Sequence, residues 1–370
     1  MFRHHRRAYI AGMVLALVAV VGILWWQTGR ETGLHVVAQF KTVEYPVAVT
    51  GTTDNGYVLT AGGQIFTVPQ WKNQENGVTL DDEPTSFRLS TSGKYLLVMG
   101  RRLTLLDSAL TQKWSRRTTA PSVVEQALFT TSGQIAAVYS FLEDQSRQFV
   151  LYDLRGTYIS GYTVPDFGRG SQVALARNGM LAVTLSGGTM YTITPEGKVI
   201  AKFSVPNDGT MGGFTSVVNE SGTRILAGYT FATSGTATTF PRYLFDQAGT
   251  QLATLSTSST NSGIRALGDR FLLYGRSAEL VGDDGKIILS ASKLNFKTVD
   301  ASLSEDYCSL LFTEETASES TVCFLGVYNV ATGTLAYQWS TAEIETPRIF
   351  QLPRAHTALA LTGGFLVLAP

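Results

Sequence analysis

One short unit recurs along almost the whole chain. Its clearest copy starts at Ser86-Phe87-Arg88-Leu89 and turns at Ser92-Gly93 into Tyr95-Leu96-Leu97-Val98-Met99. It continues through Leu103-Thr104-Leu105-Leu106-Asp107 and ends at Gln112-Lys113-Trp114-Ser115. That pattern reads as four short antiparallel strands joined by tight turns. The turns recur as a ruler: Asn55-Gly56, Ser92-Gly93, Ser132-Gly133, Asn178-Gly179, Ser221-Gly222, Gly268-Asp269, Ser304-Glu305 and, poorly formed, Arg354-Ala355. Gly and Asn suit such turns because they tolerate a positive φ that a bulky Cβ resists. An apolar run follows each turn, for example Ile135-Ala136-Ala137-Val138 or Phe271-Leu272-Leu273-Tyr274. These runs are nearly continuous rather than alternating, which is how a strand covered on both faces reads. Four-stranded units stacked face to face, at a period near ~40–45 residues, predict an all-β fold: a β-propeller.

The count is eight blades, with seven as the alternative because the unit near Ile264 is short and the last is weakly marked. The last unit reaches Pro370 after three strands and lacks an outer one. Residues 34–40, Leu34-His35-Val36-Val37-Ala38-Gln39-Phe40, precede the first unit and belong to none. They are expected to supply the missing strand, because an unpaired edge leaves backbone donors and acceptors exposed. Several third strands end in a polar-Gly turn: Arg155-Gly156, Glu196-Gly197, Ala248-Gly249, Asp284-Gly285 and Thr332-Gly333. Asp107, Asp153, Asp246 and Asp283 recur beside these turns. Such repetition marks a turn role, since Asp bonds its own local backbone.

The stretch from Gly326-Val327-Tyr328 through Thr332-Gly333 to Gln338-Trp339, and Leu105-Leu106-Asp107 with Trp114, resemble the outer half of quinoprotein-type blades. Over about residues 34–370 the chain resembles the quinoprotein/WD-like propeller superfamily, and within it membrane-anchored bacterial propellers with no assigned activity. Trp114 and Trp339 resemble the family's tryptophan-docking positions; other units carry Leu or Phe. A quinoprotein dehydrogenase would bring Ca²⁺ ligands, an Asp base and often adjacent cysteines. Adjacent cysteines are absent here. No cofactor or metal is expected.

The amino end is a separate object. Residues 8–26 carry no charge; as a helix they would extend about 28 Å at ~1.5 Å per residue, enough to cross a ~30 Å hydrocarbon layer. Arg3, Arg6 and Arg7 precede this run, which keeps residues 1–7 in the cytoplasm by the positive-inside rule. Trp25 and Trp26 sit where interfacial aromatics belong. A cleaved signal peptide is the rival, but Trp-Trp-Gln-Thr-Gly-Arg is a poor cleavage site. The expected organisation is a cytoplasmic tail (1–7), a transmembrane anchor (8–26), a linker (27–33) and a propeller (34–370). The protein is then single-pass in the plasma (inner) membrane, its propeller outside the cytoplasm.

With 29 basic and 29 acidic side chains, the balanced charge argues against nucleic acid as a partner. Cys308 and Cys323 fall on the second and third strands of one unit. If their hairpin is centred near Glu315 and Thr316 they face each other within disulfide reach, and an exported domain sees oxidising conditions. The alternative is two buried thiols behaving as small apolar residues.

Catalytic signals are thin. His4, His5, His35 and His356 have no metal-spaced partners, and no nucleophile elbow or phosphate-binding loop occurs. Second-to-third-strand loops at 143–148, 232–241 and 314–320 read as long, on the same side of the disc as the elaborate inter-blade segments 164–170 and 205–213. Loop variety on one side commonly marks a binding side, though length there is also merely tolerated. Asp166, Arg169 and Asp208 are its polar candidates. The expected function is a non-catalytic scaffold that binds a protein, peptide or envelope component; the alternative is a quinoprotein-like or hydrolytic enzyme with a site in the central channel.

Overall fold

The computed structural model describes residues 34–369 except 42–45, 53–54, 72–76, 81–83, 119, 165–170, 186, 208–210, 233–238, 259–262, 294–295, 305, 315–321, 343–347, 352–356 and 362–363. The described residues form eight four-stranded antiparallel sheets. Blades 1 to 7 span 46–79, 86–116, 122–164, 172–204, 211–258, 263–292 and 296–342, with strands laid side by side in chain order. Blade 8 is Arg348–Gln351, Thr357–Leu361 and Gly364–Ala369, completed by His35–Lys41. Each pair of consecutive blades touches through the first strand of at least one of the two, and blade 8 touches blade 1, so the ring is closed. Apolar clusters fill all eight junctions between neighbours. Second strands such as Ile135–Phe141 and Leu181–Thr184 are buried on both faces for this reason, which is why their sequences read as unbroken apolar runs.

Closure follows the expected route. His35 pairs with Ala369, Val36 with Leu368 and Phe40 with Phe365, antiparallel. The closing strand even copies a local defect of its counterparts. In blades 2 to 7 the outer strand carries a β-bulge one residue after its first pair, so that Lys113, Ile159, Ile200, Leu252, Ile288 and Ala336 are skipped by the register. In blade 8 the skipped residue is Val37. A bulge interrupts the row of free backbone groups that an outer edge offers to other chains.

The turns carry the expected glycines. Gly93, Gly133, Gly179, Gly222 and Gly268 join first to second strands with positive φ. Gly156, Gly197, Gly249, Gly285 and Gly333 do so between third and fourth. The second set has a further reason to lack a side chain. A Cβ on Gly156 would meet the Trp114 ring at 2.8 Å, one on Gly197 the Tyr162 ring at 2.9 Å and one on Gly249 the Phe203 ring at 2.5 Å. Each ring belongs to the preceding blade's outer strand. Trp114 Nε1 also donates to Leu154 O at 3.0 Å and Tyr162 Oη to Thr194 O at 3.2 Å. The docking role read for Trp114 therefore extends to Tyr162 and Phe203. Trp339 instead lies half-buried against the blade 7–8 cluster, two register steps away from Trp114's position.

The aspartates hold the same turns. Asp107 Oδ1 accepts from the Ala109 and Thr111 N–H groups, Asp153 Oδ1 from Arg155 and Thr157, and Asp246 Oδ1 from Ala248 and Thr250. In blade 6 the bond is made by Asp284, not Asp283. Asn55-Gly56 also departs from expectation: both residues lie inside the strand Asn55–Thr60, and Gly51 and Gly56 sit under the Trp71 ring, which leaves no room for a Cβ on either.

The cysteines are not bonded. The register places Cys308 opposite Tyr328 and Cys323 opposite Thr313. Five residues of strand separate Cys308 from Thr313, about 17 Å. The two side chains also face opposite sides of the sheet, Cys308 toward blade 6 and Cys323 toward blade 8. Both are fully buried and act as small apolar groups.

Because strands alternate in direction, the first-to-second and third-to-fourth turns share one side of the disc, here the turn side. Second-to-third hairpins and inter-blade segments share the other, the hairpin side. Blade heights alternate. Strands in blade 7 are all eight residues long and those in blade 5 eight or nine, while those in blades 4 and 6 have four to six. Blade 3, at six to eight, is also tall. With the turn ends aligned, about three extra residues at ~3.3 Å lift the tall hairpins roughly 10 Å above their neighbours.

Candidate functional site

The first strands line a central channel. Its mouth on the turn side opens into a cavity of about 140 Å³ bounded by blades 2 to 6, with Arg88, Arg177, Glu220, Phe129 and Gly268 in the wall. Backbone bonds lace this rim: Thr131 N donates to Arg177 O, Arg177 N to Glu220 O and Glu220 N to Gly268 O, at 2.8–2.9 Å. The Arg177 side chain lies across the opening. It pairs with Glu220 at 3.2 Å in blade 5 and donates to Thr91 Oγ1 in blade 2 at 2.5 Å. Nothing in the sequence marked Arg177. It follows a first strand as an ordinary turn residue, and its reach depends on ring curvature.

Further along the channel wall, charges are matched in pairs. Glu125, on a first-strand bulge, meets Arg147 at 2.6 Å. Arg147 also donates to Ser171 Oγ and O, tying blade 3 to the start of blade 4. Arg265 meets Asp300 at 2.5 Å, and Asp300 Oδ2 accepts from Ile349 N at 2.9 Å, linking blades 6, 7 and 8. Gln126 bridges blades 3 and 4, donating to Val173 O at 2.7 Å and accepting from Leu175 N at 2.8 Å. Among the described residues no three His, Cys, Asp or Glu side chains lie close enough to share a metal ion. Arg88 makes no ion pair among them, so the mouth offers one exposed guanidinium beside the apolar wall of Phe129 and Leu89. Chemically, this suits contact with a carboxylate or a backbone carbonyl.

Asp166, Arg169 and Asp208 lie outside the described residues. The segments carrying them leave buried Val164 and Val205 on the hairpin side, between blades 3 and 4 and blades 4 and 5. The long loops read at 232–241 and 314–320 are partly strand. Arg224–Ala232 and Thr239–Asp246 leave only 233–238 between them, and Tyr307–Glu314 and Val322–Asn329 leave 315–321. At the tip of the blade 3 hairpin, Leu142 is 58% exposed.

Neither a family profile nor a curated protein matches this sequence. Solved structures do. The C-terminal WD40 domain of Sif2 aligns with a TM-score of 0.65 at 10% identity, over 92% of this chain and 99% of that one. The computationally designed Ika8 protein aligns at 0.64 and 12%, over 91% and 100%. BamB from Moraxella catarrhalis aligns at 0.56 and 14%, over 91% and 100%. At such identities the likeness is one of fold alone: these structures and this chain are β-propellers.

Proposed function

We propose that this protein is a membrane-tethered scaffold outside the cytoplasm, holding a protein, peptide or envelope component against the hairpin side of its ring. The observation that carries the reading is the alternation of blade heights. Hairpins from blades 3, 5 and 7 stand proud of a closed ring at three of its four alternate positions, blade 1 having strands of three to six residues. A ring fixes the relative positions of its loops, so a partner meets a shaped surface without a large ordering cost. Exposed Leu142 at one tip gives that surface an apolar contact. Anchoring through residues 8–26 is part of the proposal and rests on their hydropathy and on the arginines before them.

The enzymatic alternative needs an uncommitted acid or base in the channel. Among the described residues of the channel wall, Glu125, Glu220 and Asp300 are each engaged by an arginine. The test is site-specific photocrosslinking in the full-length membrane form. A benzophenone residue replaces Leu142 on the hairpin side or Ser132 on the turn side. Adducts should form from position 142 and not from 132, and should vanish when 233–238 is replaced by Asn-Gly with the melting temperature retained. Equal adducts from both positions, or adducts from 132 alone, would refute the proposal.

A further inference from the structure

Apart from Leu142 at a hairpin tip, the large exposed aliphatic side chains among the described residues are placed with a rule. Ile159, Ile200, Leu252, Ile287, Leu335 and Val37 are each 41–55% exposed. They come one from each of blades 3 to 8, and each lies within the first three residues of an outer strand. Every outer strand starts on the turn side, so these six form an apolar arc on the turn-side rim. The fold does not require them there. Blade 2 puts Lys113 at the same bulge position that holds Ile159, Ile200, Leu252 and Val37 elsewhere.

The chain joins the ring at that rim. Leu34 is 4% exposed against blade 7, its N–H donating to Gln338 O at 3.0 Å, and His35 pairs with the turn-side end of Gly364–Ala369. Seven linker residues, 27–33, separate this point from the apolar run; whatever their conformation, they reach at most about 25 Å. Charge on the rim is mixed: Lys286 is paired with Asp284 and Lys113 with Asp107. Attraction to anionic lipid is therefore secondary to apolar contact.

We propose that the turn-side rim of blades 3 to 8 rests on the bilayer, with these aliphatic side chains in the boundary between headgroups and acyl chains. The hairpin side then faces away, toward the partner. The seating rests on residues 8–26 being an uncleaved span, and the experiment separates the two claims. The full-length protein is reconstituted in phosphatidylcholine vesicles with a single added thiol at Ile200→Cys, Leu252→Cys or Glu143→Cys, labelled with a polarity-sensitive nitrobenzoxadiazole. Cys308 and Cys323 are fully buried and stay unlabelled. Headgroup-spin-labelled lipid should remove most emission at 200 and 252 and leave 143, on the hairpin side, unchanged. Full emission at 200 and 252 in protein that still floats with the vesicles would overturn the seating alone. So would shielding of those sites from aqueous iodide without lipid quenching, which would mean that a second copy covers the rim. Protein that fails to float after a carbonate wash would overturn the span and the seating together.

Discussion

Removing the Phe40 ring tests whether His35–Lys41 closes the ring or merely lies against it. Phe40 is 6% exposed and stacks on Phe365 with centroids 4.5 Å apart and planes 15° from parallel. It belongs to the apolar cluster that joins Val58 and Phe66 of blade 1 to Ala358 of blade 8, so the side chain helps fill the junction where the two ends of the chain meet. Truncating a buried Phe to Ala costs about 3–5 kcal/mol through lost transfer energy and residual cavity, of which the stack supplies about 0.5–1.5. Unfolding entropy near ~2.1 cal/mol/K per residue over roughly 330 residues gives about 0.7 kcal/mol/K, so Phe40→Ala lowers the melting temperature by about 6 °C. Val37→Ala, three residues away at an exposed bulge, changes it by under ~1 °C. The assay is thermal unfolding of the detergent-solubilised full-length chain, followed by tryptophan fluorescence. A double-mutant cycle with Phe365→Ala should show coupling of about 0.5–1.5 kcal/mol or more, because both rings share one cavity. Equal melting temperatures for Phe40→Ala and Val37→Ala, or strict additivity in the cycle, would refute ring closure through this strand.

Thiol titration should count no reactive cysteine in the native protein and two after denaturation without reductant; burial pushes the Cys308 thiol up to about 12 and makes it inert, and a count of zero in denaturant would mean a disulfide. Gly249→Ala should destabilise more than Gly133→Ala in urea unfolding. Both sites pay about 1–3 kcal/mol for a positive φ, but only Gly249 faces a ring, with Phe203 at 2.5 Å, while nothing lies within 4 Å of Gly133; equal midpoints would remove the ring-docking argument. Backbone donation from Thr157 holds the Asp153 carboxyl below its usual range, and bonding to Lys113 does the same for Asp107. A depressed folded pKa means the stabilisation is complete above about pH 4, the unfolded value, and is lost as pH falls through the lower folded values. Urea midpoints between pH 5 and pH 2.5 should therefore fall less steeply for Asp153→Asn than for the wild type, and parallel curves would contradict the turn role.

Much of the architecture was legible because each blade is written locally. A turn that needs positive φ announces itself as Gly, a buried second strand as an apolar run, and a capped turn as Asp two residues before an N–H group. The closing strand was legible by subtraction, as a β-like segment before the first unit facing a unit one strand short. Blade height was not. Residues 239–241 read as part of a long loop, yet they lie in the paired strand Thr239–Asp246; pairing with a neighbour overrode weak local preference. The cysteines failed for a related reason. Their facing depended on where the 315–321 hairpin turns, and a shift of a few residues along the strand moves the partners apart and places them on opposite faces. Arg177 reaching Thr91 was invisible because no local rule reports a contact across a ring 86 positions apart.

The closing strand gives the ring a mechanical property. Its first residue lies at the turn side and its last at the hairpin side, so load arriving through the segment before Leu34 runs along the strand axis. Antiparallel neighbours pulled lengthwise strain all their hydrogen bonds at once instead of peeling them one by one. The seam where His35–Lys41 meets Gly364–Ala369 therefore resists a pull on the segment before Leu34 in shear, the direction in which paired strands yield last.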